Sequence, residues 1–215
     1  VAKGELIGSA REIVAMAREQ KVIVQEVDRA HLDAMAPGHQ GLIAVVSAYA
    51  YKTVDDMLAL AKERGEAPFL VILDGVTDPH GAIIRSAECA GAHGVIIPER
   101  RAVGLTPAAV KASAGAVEYL PVAREVNLTR TIERLKKEGV WIYGTAMDGE
   151  DYRKVDYSGA KALVIGSEGE GVSRLVRQAC DFTVSIPTTG VIDSLNASVA
   201  AGILMSAIYE GRTKR

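Results

Sequence analysis

Arg85, the carboxylates Glu168 and Glu170, and the pair Ser194 and Asn196 are the residues whose types and spacing could carry chemistry. Arg85 lies in DPHGAIIRSAECAGAHGVII (78–97), in the opening turns of an expected helix of small and apolar residues. A cation there faces the positive end of the helix dipole, which costs stability unless something offsets it. Two readings stay open. In one, the stem packs while the head reaches solvent or pairs with Glu88; in the other, the cation marks a site that meets an anion. In VIGSEGEGVSRL (164–175), a strand end, a flexible turn and a helix start bring Glu168 and Glu170 beside exposed backbone amides. The alternative there is a glycine-rich connection with acidic capping. In IPTTGVIDSLNASVAAGILMSAIYEGR (186–212), Ser194 or Asp193 can cap a long helix, and Asn196 follows among residues small enough for close backbone approach.

Several chemistries are excluded by spacing. Glycines 166, 169 and 171 do not make G-x-G-x-x-G, and no G-x-x-x-x-G-K-[ST] occurs. His31, His39, His80 and His93 lack ligand spacing, so no metal is expected. Cys89 and Cys180 show no CxxC or Cys/His pattern and read as small buried thiols.

These residues must be held by a frame. The 215 residues are 48% hydrophobic and 24% charged, which suits one or two globular domains. No apolar run reaches bilayer length and none resembles a signal peptide, so a soluble cytoplasmic protein is expected, with no membrane partner. The net charge of −2 gives no general basic field, and aromatics at 5% argue against base-stacking sheets. RNA contact would have to come from local patches such as Arg100 with Arg101, the run Arg130, Arg134, Lys136 and Lys137, or Arg212, Lys214 and Arg215, each of which also reads as a solvated face.

Residues 1–50 read as a small α/β unit, with a helix over 5–19, a strand at 21–27, a helix opened by Asp28 and a strand at 41–50; since residue 1 is valine, its natural start is expected to be missing. A linker helix over 51–66 follows, with Thr53 as N-cap and Gly65 as stop. Over 67–215, apolar strands are expected at 69–76, 94–100, 117–123, 140–147, 161–168 and 182–187, and helices at 81–92, 106–113, 127–138 and 172–179. Strands apolar throughout that alternate with helices imply an open parallel sheet with helices on both faces. Ligands bind such sheets beyond the carboxyl ends of the strands, which directs attention to DGVTDPHG, YGTAMDG, GSEGEGVS and IPTTGVIDSLNAS.

Three of these stretches in this order resemble the SpoU (TrmH-type) family of RNA ribose 2′-O-methyltransferases. The matching residues are DPHGAIIRSAECAGAHGVII, ALVIGSEGEGVSRL and IPTTGVIDSLNASVAAGI. The front part, ending in HQGLIAVV (39–46), is similar to the RNA-binding domain of the subgroup that methylates a guanosine in the peptidyl-transferase region of 23S rRNA. The resemblance implies an α/β fold with a C-terminal deep trefoil knot, an exception to the rule against knots. It implies S-adenosyl-L-methionine as cofactor, held by backbone near Thr145 and Ala146 and by Gly166, Ile186 and Leu195, with Ser194 and Asn196 close by. It further implies a homodimer with the site at the subunit interface, an RNA substrate (23S rRNA first, tRNA second), and Arg85, Glu168, Ser194 and Asn196 as the catalytic set.

The chemistry has its own logic. A ribose 2′-hydroxyl is a poor nucleophile at neutral pH, so methyl transfer to it needs in-line alignment and help with the departing proton. Arg85 has two possible roles. It deprotonates the hydroxyl with a lowered pKa, or it stays charged, clamps an RNA phosphate and stabilises the developing alkoxide. The sequence also departs from the family pattern. DPHGAIIR lacks the usual Asn-x before its glycine, Thr188 stands where the third motif has methionine, and APGHQG is short. The missing asparagine favours a knotted RNA-binding protein without catalysis, whereas the intact Arg85, Glu168, Ser194 and Asn196 favour the enzyme.

Overall fold

Buried strands with apolar residues on both faces set the architecture. The computed structural model describes residues 1–4, 8–20, 22–36, 38–44, 49–76, 80–99, 104–190 and 194–213, and divides into two compact units, Val1–Ala48 and Tyr49–Arg215.

In the first unit, helices α1 (Ser9–Glu19) and α2 (Arg29–Met35) bury Val14 and Leu32. The strand expected at 21–27 is absent from its described residues: Val27 bridges to Ala2, and among the described residues no segment pairs with 22–26. Asp28 occupies the N-cap position of α2 but makes no capping bond, because its carboxylate turns to Lys3 Nζ at 3.3 Å. The strand expected at 41–50 falls partly on residues outside those described; its described part carries no strand.

In the second unit, α3 (Val54–Glu63) starts with a capping box in which Asp56 N donates to Thr53 Oγ1 at 3.2 Å and Thr53 N to Asp56 Oδ2 at 2.8 Å. The bonds that the Asp56 carboxylate accepts from Thr53 N and, at 2.8 Å, from Thr53 Oγ1 hold it below its ordinary range. Val54, Met57 and Ala61 are buried, so this helix packs within the second unit. Gly65, at φ 66°, follows its end.

Then come β1 (Phe69–Asp74), α4 (His80–Cys89), β2 (Gly94–Pro98), α5 (Pro107–Ala112), β3 (Val122–Glu125), α6 (Leu128–Lys137), β4 (Trp141–Asp151), β5 (Lys161–Gly166), α7 (Arg174–Ala179), β6 (Phe182–Ser185) and α8 (Ala197–Thr213). The six strands pair in parallel in the order β3-β2-β1-β5-β4-β6. Strand periodicity sorts their side chains. Phe69, Val71 and Leu73 enter the core shared with α4 and α8, while Leu70 and Ile72 enter the core shared with α3 and α6. The third strand begins later than expected from 117–123. Residues Ala116–Glu118 form a 3₁₀ turn, and pairing starts only after Pro121, which has no N–H for a ladder.

After β6 the chain does not stay at its edge. Helix α8 packs on α4 and β5, away from the β6 edge. The parallel α/β sheet with helices on both faces is therefore the one expected. Among the described residues no helix is long and apolar enough to cross a membrane. The cysteines differ from expectation. Cys89 is exposed on α4, and Cys180 is half-buried, where burial pushes its thiol up to about 11.

Candidate active site

The carboxyl ends of β4, β5 and β6 and the segment before α8 enclose a cavity of about 480 Å³. Thr145 and Ala146 line it from β4, Gly166 and Glu168 from the end of β5, Ile186 from beyond β6, and Ser194 and Leu195 from the approach to α8. Residues of the second and third motifs and of the YGTAMDG stretch thus line one cavity, and no described residue of the first motif does.

Local sequence explains the shape of the floor. At Gly166 a Cβ would lie 2.0 Å from the carbonyl carbon of Gly171, so only glycine allows this approach. The turn it supports is closed by Ser167 N to Gly171 O at 3.1 Å and Gly171 N to Ser167 O at 3.0 Å, with Gly171 at φ 66°. Glu168, Gly169 and Glu170 sit at its tip. The turn is further held where Ser173 N donates to Asp74 Oδ2 at 2.7 Å, tying it to the end of β1.

Asn196 joins this turn to α8. Its Nδ2 donates to Glu168 Oε1, and its Oδ1 accepts from Ser198 N at 3.0 Å and Ser198 Oγ at 2.5 Å. Asn196 is therefore the helix cap, in place of Ser194; Asp193 lies outside the described residues. Glu168 Oε1 also accepts from Ala197 N at 3.3 Å, so the acid faces the positive start of a helix of 17 residues.

The arginine lies elsewhere. Arg85 is exposed on α4, is not on the cavity wall, and forms no ion pair with Glu88. What precedes it is tightly fixed. His80 Nε2 donates to Val76 O at 2.6 Å, and a Cβ on Gly81 would lie 2.2 Å from Ala109 O of α5. The junction with the missing Asn-x abuts residues 77–79, outside those described.

Asp148 and Arg177 were not singled out from the sequence. Against β6, β4 shifts register between Thr145 and Glu150, so residues 146–149 leave the ladder at the cavity mouth. Arg177 Nη2 donates to both carboxylate oxygens of Asp148, at 2.7 and 2.8 Å, and this holds the Asp148 carboxyl below its ordinary range. The signal available was the strand end YGTAMDG, but nothing in it names a partner on α7.

Among the described residues no cluster of His, Cys, Asp and Glu could hold a metal ion. Residues 68–206 match the model of the SpoU rRNA Methylase family. The chain belongs to the SpoU family. Residues 1–52 match the model described as RNA 2′-O ribose methyltransferase substrate binding. YacO of Bacillus subtilis, named as a TrmH family tRNA/rRNA methyltransferase, is 49% identical over 216 residues, covering 99% of this chain and 87% of that one. The SpoU methyltransferase AviRb from Streptomyces viridochromogenes, solved with AdoMet, superposes with a TM-score of 0.81 at 28% identity, over 100% of this chain and 82% of that one. An AdoMet-bound rRNA methyltransferase from Sinorhizobium meliloti gives a TM-score of 0.73 at 26% identity, over 93% and 76%. This SpoU protein is accordingly an RNA methyltransferase of the TrmH type.

Proposed function

We propose that this AdoMet-dependent RNA 2′-O-methyltransferase modifies a guanosine of 23S rRNA, as a homodimer in the cytoplasm, with 1–50 as the RNA-binding domain, 51–66 as a linker helix and 67–215 as the catalytic domain. The observation that carries the reading is the cavity lined by Gly166, Glu168 and Ser194, its Glu168 held from behind the wall by Asn196.

The described residues fit the donor. A cavity of about 480 Å³ suits a nucleoside-sized ligand, Ile165, Val172, Val184 and Leu204 offer apolar wall to a flat base, and the Glu168 carboxylate suits a cationic centre. When bound, S-adenosyl-L-methionine supplies an electrophilic methyl group on a sulfonium. Thr145, Ala146, Gly166, Ile186 and Leu195 orient it through backbone and apolar contact, and Ser194 and Asn196 set its polar edge. Glu168, held by Asn196 and the start of α8, is a fixed carboxylate on the cavity wall. Arg85, exposed and without an ion pair among the described residues, is available to an RNA phosphate and to the developing alkoxide.

The experiment uses rRNA and tRNA from cells that lack the protein, incubated with it and labelled AdoMet. Label in 23S rRNA and not in tRNA supports the reading. Label confined to tRNA replaces it with the tRNA reading that the TrmH family name of the relatives also allows.

A further inference from the structure

The cavity wall is charged in a way the reaction itself does not need. Asp148, Glu168 and Glu170 contribute carboxylates, and among the described lining residues Arg177 is the sole cation. Arg177 is bound to Asp148 rather than to either glutamate, and both partners are accessible, at 43% and 70% side-chain exposure. An exposed pair of this kind contributes little to stability and exchanges partners readily. Its elements are otherwise secured. The 146–149 excursion is held at its base, where Ser185 Oγ donates to Gly149 O at 2.8 Å and a Cβ on Gly149 would lie 2.6 Å from the backbone of Val184. The pair is therefore not needed to hold the excursion in place.

A cation and a carboxylate side by side on a cavity wall are complementary to a zwitterion. We propose that Arg177 and Asp148 form the subsite for the α-amino-acid end of the methyl donor, Arg177 taking its carboxylate and Asp148 its ammonium. The assignment rests on the donor reading above and extends it to two positioning residues. Ligand groups replace the internal pair one for one, so no charge is left unpaired in the bound state. The arrangement also sets specificity. A ligand that keeps the ammonium and lacks the carboxylate engages Asp148 only by leaving Arg177 unpaired, so it gains less than the intact donor.

Equilibrium binding by calorimetry, without RNA or turnover, tests this with three probes. They are S-adenosylmethionine, decarboxylated S-adenosylmethionine, and 5′-methylthioadenosine, which keeps the nucleoside and lacks the amino-acid end. The wild-type protein binds the intact donor about tenfold to hundredfold more tightly than the decarboxylated one. Arg177→Ala removes that preference and leaves 5′-methylthioadenosine within about twofold of wild type. Arg177→Lys restores part of the preference, since it keeps the charge and loses the fork. An unchanged preference in Arg177→Ala overturns the proposal, and so does an equal loss of all three ligands, which would make Arg177 merely structural. If the wild-type protein binds none of the three, the donor reading fails and this assignment fails with it. If it binds all three and Arg177→Ala behaves as wild type, only this assignment fails.

Discussion

Asn196 Nδ2 donates to Glu168 Oε1, and the same oxygen accepts from Ala197 N at 3.3 Å, so one carboxylate joins the turn after β5 to the start of α8. The bond crosses 28 residues of sequence and ties two motifs into one wall. Glu168→Ala removes the acceptor from both donors. Stability falls by about 1 kcal/mol, as for a lost helix cap, in urea denaturation. Methyl transfer falls by about a hundredfold or more in initial-rate assays, the scale of losing a fixed electrostatic group. A variant with wild-type rate would remove Glu168 from the catalytic set.

Gly166→Ala tests the floor. The new Cβ would meet backbone atoms of Gly171 and Val172 at 2.0 and 2.2 Å, and neither can yield as a flexible side chain would. The turn at 167–171 must move, at a cost of about 1–3 kcal/mol. AdoMet affinity by calorimetry falls in step with the loss of activity. Unchanged affinity would show that the turn does not shape the donor site.

Arg85 makes the opposite prediction, because its exposed head forms no ion pair among the described residues. Arg85→Ala stays within about 0.5 kcal/mol of wild type in thermal or urea unfolding. It binds AdoMet normally and loses methyl transfer by about a hundredfold. Arg85→Lys distinguishes the roles of charge and planar fork, and near-normal turnover would count against any need for a guanidinium. A destabilised Arg85→Ala with normal transfer would restore the structural reading.

Much of this frame was legible in the sequence, for definable reasons. FLVILD and KALVIG are apolar throughout because both faces of a central parallel strand are covered, and this announces the sheet directly. The N-cap at Thr53 and the stop at Gly65 were legible because they are local. What escaped depends on partners distant in sequence. The exit of 146–149 from the ladder is set by the register of β4 against β6, and Arg177 finds Asp148 across 29 residues. Asn196 displaced Ser194 as the cap because α8 starts at Ala197, a boundary fixed by the bond to Glu168. Residues 22–26 carry a strand-like pattern, yet a strand exists only where another segment offers its backbone.

Lys161 yields a prediction about stability alone. Its side chain is buried in the sheet, and desolvation, followed by the nearby Arg212 charge, pulls its amine down to about 8. Between about 8 and its ordinary 10.5, the folded protein binds fewer protons here than the unfolded chain. The penalty is therefore full below about 8 and fades as pH rises through that window. Lys161→Met removes it. The variant is more stable than wild type by about 1–3 kcal/mol at pH 7, and the difference narrows as pH rises, in urea denaturation series. A difference independent of pH would show that the amine is not the source.

The central claim is that the methyl group reaches a ribose 2′-oxygen of RNA, and the position of the transferred label tests it most directly. A 2′-O-methyl group blocks attack of that oxygen on the neighbouring phosphate, so label from AdoMet should be recovered in an alkali-resistant dinucleotide and, after enzymatic digestion, in 2′-O-methylguanosine. Label released on a base, or no transfer to any unmodified RNA by protein that binds AdoMet, would contradict the account.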